Sequence, residues 1–196
     1  LVDGDLQGMF DGPTTIALNP NDPAVVLDLS AVYNTPAQPI VMTCATTWLQ
    51  AAMLSVRAGR RRIGLDEAWS VMRDLATVRW LQSVTKLSRS MGVQFVAVLH
   101  QLEDLNTAGD DGTEIVKTVR NIISDCETQV IYRQPTGVAA ATATLLGLSS
   151  AEQTLVADLP KGTGLWRIGT TSYVVEHHVG PAEWALIDTD HALRRD

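Results

Sequence analysis

Residues 63–69 read IGLDEAW, and residues 87–105 read LSRSMGVQFVAVLHQLEDL. Between them, from Ser70 to Ser88, the apolar positions Val71, Leu75, Val78, Leu81 and Val84 recur every three or four residues, the spacing of an amphipathic helix. Ile63-Gly64-Leu65 before that helix and Val93–Leu99 after Gly92 read as strands, the second fully apolar enough to be buried. A strand, one helix and a second strand make a right-handed crossover, which places the two strands side by side and parallel. The first then ends on Asp66-Glu67 and the second on His100-Gln101. In open α/β sheets ligands bind outside those carboxyl ends, so an acidic pair and an amide are expected to share one crevice.

Outward from this core the strand–helix alternation continues. On the amino-terminal side, Asp11-Gly12-Pro13 and Asn19–Pro23 are turn-rich around Thr14–Leu18, and Ala24–Leu29 reads as a strand. A helix is expected from Pro39 to about Arg57, burying Trp48, Leu49, Met53 and Val56 on one face. On the other side, Leu102–Asp111 reads as helix or loop, Glu114–Ser124 as a helix and Thr128–Tyr132 as a strand. Ser150–Ala157 reads as a short helix capped by Ser150. Gly164–Ile168 and Ser172–Val175 form a hairpin through Gly169-Thr170-Thr171, and Pro181–Leu186 is a last helix. The expectation is an α/β domain with a mostly parallel sheet, covered on both faces and carrying an antiparallel hairpin at its edge.

Composition bounds the function. The 196 residues suit one ordinary domain, and 45% hydrophobic against 19% charged residues is a globular balance. A net charge of −7 argues against a chain coated in nucleic acid, while leaving room for a local DNA contact through a few basic residues. Cys44 and Cys126 stand apart from any ligand-spaced partner and are expected to be free thiols. No apolar run approaches the roughly 20 residues of a membrane span, and LVDGDLQGMFDG lacks the shape of a signal peptide. The expected location is the cytoplasm.

An apolar strand ending in two acids has the shape of a Walker B segment. ATP hydrolysis needs a carboxylate in the shell of a hard cation and a second group that orients the attacking water. Asp66 suits the first task and Glu67 the second. Gln101 can donate and accept, which suits contact with a γ-phosphate. Taken alone, the same pattern also fits a helix N-terminus, where carboxylates meet the helix dipole favourably.

The segments IGLDEAW, LSRSMGVQFVAVLHQLEDL and GLWRIGTTSYVVEHHVGPAEWALIDTD together resemble the Walker B region, the glutamine motif and the terminal hairpin and helix of type IV secretion and conjugation ATPases, in their actinobacterial form. The resemblance implies a three-layer RecA-like P-loop NTPase fold of the hexameric DNA-pump branch. It implies ATP and Mg2+ as cofactors, with Asp66 on the magnesium, Glu67 on the water and Gln101 on the nucleotide. It also implies self-association into a hexameric ring, secretion-channel partners at the inner face of the cell membrane, and DNA among the cargoes. No G-x-x-x-x-G-K-[ST] loop occurs, and Lys161-Gly162-Thr163 is not one. Residues 1–196 are therefore expected to be the carboxyl-terminal portion of a single ATPase domain, inactive alone, with the loop upstream. A DNA translocase without a secretion role, or an inactive interaction module of the same fold, would share these features.

Arg89, just before the second strand, and Arg133, just after Thr128–Tyr132, are candidates for an arginine that stabilises phosphate charge, in its own subunit or the next. Arg89 equally suits a helix carboxyl end, and Arg120 a plain helix face. His177-His178 is a poor chelate, because strand neighbours point to opposite faces. His100 is expected to point away from Gln101 into a packing or supporting role. Trp69, Trp80, Trp166 and Trp184 read as core or interface anchors, and Glu103-Asp104 as acids favouring a helix start.

Overall fold

The computed structural model describes residues 7–13, 19, 22–33, 35–55, 60–68, 72, 74–100 and 113–187. The chain divides into two compact units, Leu1–Ile122 and Ile123–Asp196.

In the first unit β1 (Arg61–Leu65) and β2 (Val93–Ala97) pair in parallel, with Arg61 opposite Val93 and Leu65 opposite Ala97. The adjacency expected from one helical crossover is what is found. α1 (Gln38–Ser55) precedes β1, and α2 (Leu75–Met91) joins β1 to β2. α2 begins well after Ser70 because Asp74 caps it: Asp74 Oδ2 accepts the backbone N–H and the hydroxyl of Thr77, each at 2.8 Å. Its buried stripe is Val78, Leu81 and Val84, and Gly92 at φ +65° stops the helix and turns the chain into β2. In α1 the buried positions are Met42 and Thr46, with Trp48, Leu49 and Met53 half-buried, while Val56 lies outside the described residues.

Exposure alternates along both strands. Ile63, Leu65, Phe95 and Ala97 are half-buried and Val93 is buried, whereas Arg62, Gly64, Gln94 and Val96 are exposed. Among the described residues, then, helices cover one face of this sheet where two covered faces were expected. The basic run is put to structural use: Arg61 donates to the Ala52 carbonyl of α1 and Arg62 to Gln94 Oε1, both at 2.8 Å. α3 (Glu114–Ser124) has the bounds expected and buries Val116, Val119 and Ile122. Residues 24–29 form no strand, and the only regular structure there is a single 3-10 turn at Ser30–Val32. Val25, Val26 and Leu27 stay exposed, so no sheet rewards the extended run.

The second unit contains β3 (Thr128–Ile131), α4 (Thr136–Leu146), α5 (Ser150–Asp158), β4 (Thr163–Ile168), β5 (Thr171–Glu176) and α6 (Pro181–Ile187). Its sheet is antiparallel throughout, in the order β3-β4-β5. The hairpin is therefore not an addition to the parallel sheet; among the described residues it belongs to a separate sheet. The reason is α4, which the sequence reading passed over. One helix between β3 and β4 would reverse the chain twice and return it parallel, but two helices add a third reversal and bring β4 back antiparallel. The local signals for α4 are Pro135 at its start and Gly147 just past its end, where φ +62° makes a left-handed cap.

α5 is capped by Ser149, one residue before the position expected. Glu152 N–H donates to Ser149 Oγ at 3.3 Å and the Glu152 carboxylate accepts Ser149 N–H at 2.8 Å, a complete capping box. Ile131, Val156, Leu159 and Leu165 form the core of this unit, with Leu146 and Leu148 packed against it.

Candidate functional site

The parallel ladder does not stop where β1 and β2 end. Val98 N–H donates to Leu65 O at 2.9 Å, and Ala68 N–H returns to Val98 O at 3.0 Å. Ala68 is fully buried and its carbonyl accepts Met72 N–H at 3.1 Å, so the chain is pinned immediately before and after Asp66-Glu67. Between those pins the two acids turn outward, their side chains 81% and 53% exposed.

The pinning has a conformational cost. Glu67 has φ +49°, and among the described residues no other non-glycine has a positive φ. A left-handed conformation costs an L-residue roughly 1–2 kcal/mol, and it persists only where neighbouring contacts over-determine it. Here they include the Glu67 N–H bonded to Asp66 Oδ1 at 3.0 Å and the buried Ala68 that follows. Strain of this kind gathers at active sites, because it aims a side chain where relaxed backbone would not.

His100 completes the group. Its Nε2 lies 3.3 Å from Glu67 Oε1 and 4.0 Å from Asp66 Oδ1, and its side chain is 60% exposed. Of the packing and supporting roles expected for His100, its contact with the acids and its exposed ring fit the supporting one.

Of the other residues singled out, Gln101 and the Glu103-Asp104 pair lie outside the described residues, as do Trp69 and His191. Arg89 lies in the last turns of α2, the helix feeding β2. Arg133 follows β3 in the second unit and is exposed. Cys44 and Cys126 form no disulfide. His177 is structural: its Nε2 accepts the indole N–H of Trp166 at 3.0 Å, and its ring lies 5.7 Å from that of Tyr132. His178 is exposed, 3.8 Å from Glu176.

A hard cation with nucleotide fits Asp66 on donor chemistry. Its exposed carboxylate offers the oxygen that magnesium takes, and magnesium draws its remaining ligands from phosphates and water rather than from a protein cage. Among the described residues there is no group of three or more His, Cys, Asp or Glu able to hold a metal by themselves.

The second unit holds another carboxylate–cation pair. Glu152 accepts the Ser172 hydroxyl at 2.6 Å and lies 3.8 Å from Arg167 Nε. Arg167 in turn donates to Leu146 O at 2.6 Å and Gln129 Oε1 at 3.0 Å. The Ser172 hydroxyl, then the Ser149 amide, hold the Glu152 carboxyl below its usual range.

No helix among the described residues is long and apolar enough to cross a membrane. No protein-family model matches the sequence, and no curated protein does. Among solved structures, the chain is similar to VirB4 of Thermoanaerobacter pseudethanolicus, with a TM-score of 0.67 and 19% identity. The match covers 80% of this chain and 41% of that one, so this chain spans about two fifths of the VirB4 length. At that identity the likeness establishes the fold.

Proposed function

We propose that the chain is the carboxyl-terminal portion of a magnesium-dependent, RecA-like ATPase of the type IV secretion and conjugation kind. The observation that carries this reading is Asp66-Glu67 at the carboxyl end of β1, with Glu67 in a strained turn that holds its carboxylate outward. The VirB4-like fold and the sequence resemblance over residues 63–105 and 164–190 support it. Asp66 supplies the carboxylate oxygen beside the nucleotide's magnesium, whose charge offsets that of the phosphates. Glu67 accepts a hydrogen bond from the attacking water and so sets its line of approach. Gln101 contacts the γ-phosphate. Arg89 or Arg133 reaches a nucleotide as a charge-stabilising group, in trans if the protein works as a hexameric ring. Both compact units belong to one three-layer domain, its phosphate loop contributed from upstream. The work done is transfer of DNA or protein through a channel, from a site on the cytoplasmic face of the membrane.

The test uses the full-length protein that contains these residues. It should hydrolyse ATP only with magnesium, and Glu67→Gln should lower turnover by about 10²–10⁴-fold while nucleotide binding persists. Turnover in the Glu67→Gln protein close to that of the parent sinks the assignment. Mixing inactive Arg89→Ala or Arg133→Ala subunits with inactive Glu67→Gln subunits should restore some turnover, since hybrid interfaces combine an intact arginine with an intact glutamate. Assembled mixtures that stay inactive at every ratio rule out the trans role.

A further inference from the structure

We propose that His100 is a positioning residue for Glu67: through Nε2 it holds the carboxylate in the rotation from which that carboxylate meets the attacking water. The inference rests on the assignment of Glu67 above and adds a residue to it.

Three observations carry it. The contact joins the ends of two strands whose relative position is fixed by backbone bonds beyond the last ladder pair, Val98 N–H to Leu65 O and Ala68 N–H to Val98 O. The meeting of residues 67 and 100 is therefore built by the sheet rather than by two wandering surface chains. Second, Glu67 is already held in a left-handed turn, and a backbone constraint of that cost achieves little if the carboxylate at its tip still rotates. The terminal torsion of a glutamate is broad, and Nε2 at 3.3 Å from Oε1 restricts it. Third, stability does not account for the contact. His100, Glu67 and Asp66 are more than half exposed, and exposed ion pairs add little to stability. Orientation of a reacting carboxylate is worth more, since a misplacement of about 1 Å can cost about 10²-fold in rate. His100 is also the residue whose side chain reaches both acids from the neighbouring strand end, which puts it within contact of the whole pair.

The experiment measures three quantities. In the full-length protein, His100→Ala should lower kcat by about 10–100-fold, as loss of a supporting partner typically does, with equilibrium binding of magnesium-ATP within about twofold of the parent. His100→Gln keeps an N–H donor at the reach of Nε2 and should recover most of that loss. On the 196-residue chain itself, long-range proton–nitrogen NMR should show the His100 Nε2 resonance shift on Glu67→Gln, a readout that needs neither ATP nor turnover. The proposal is overturned by unchanged kcat in His100→Ala beside a dead Glu67→Gln, which leaves the Glu67 assignment standing. It is overturned equally by parallel losses of binding and kcat that Gln does not rescue, or by a His100 resonance indifferent to Glu67. Normal turnover in Glu67→Gln removes the assignment and this inference together.

Discussion

Two of the places where a carboxylate meets a nitrogen group, around Glu152 and around Glu67, differ in almost every other respect. Around Glu152 the carboxylate is 19% exposed and Arg167 is 24% exposed, and each has several partners: two serines on one side, a carbonyl and an amide on the other. The backbone there is relaxed and starts a helix with a capping box. Around Glu67 the groups are exposed, an imidazole lies against the carboxylate, and the backbone is forced to positive φ. Similar chemistry thus serves two ends. A satisfied, half-buried pair holds elements together, whereas the exposed pair sits on a strained turn where two strands end.

That contrast predicts opposite responses to substitution. The largest effect should come from Glu152→Ala, which removes the capping box, the Ser172 bond and the partner of Arg167; a loss of about 2–3 kcal/mol is expected from the sum of a cap and a charged hydrogen bond. Denaturant unfolding reads it directly, and a Glu152→Ala loss no larger than that of Glu67→Ala would erase the distinction. Glu67→Gly should act the other way. Glycine accepts φ +49° without the steric penalty, so despite its entropic cost a gain of up to about 1 kcal/mol is expected, alongside lost turnover in the full-length protein. A less stable Glu67→Gly chain would mean that the turn is not strained.

The smallest effect concerns acid. The folded Glu152 carboxyl titrates below its unfolded value, first because of the Ser172 hydroxyl, so its stabilising contribution is complete above the unfolded pKa. It is lost as the pH falls through the folded pKa, that is, below about 4.5, the ordinary glutamate value. Hydrogen-exchange protection in β3–β5 should weaken across that window in the parent and stay flatter in Glu152→Gln. Equal slopes in the two proteins would remove Glu152 as the cause.

Much of this was legible in the residues. The apolar stripe of α2, the bounds of α3 and the placing of Asp66-Glu67 at a strand end follow from apolar runs and spacings that are local to each segment, and the parallel neighbours β1 and β2 follow from the handed crossover of one helix between two strands. The hairpin connection was equally plain from its glycine, though expected over Gly169-Thr170-Thr171 and found one residue shorter, because Thr171 already pairs with Ile168. Other features were not local and could not be read that way. The direction of β3 against β4 turned on α4, whose run of Ala and Thr gives little periodic contrast. Ala24–Leu29 had strand composition but found no partner strand, and pairing is a long-range event. The left-handed φ of Glu67 and the turn of His100 toward it arise from backbone bonds between residues 65, 68 and 98, some thirty positions apart in sequence. The sequence by itself determined which residues would carry the acids and which strands would flank them, because side-chain period is a property of each segment. Only the tertiary structure decided which side chain meets Glu67, because that depends on the register and turn geometry of two strands joined through an intervening helix.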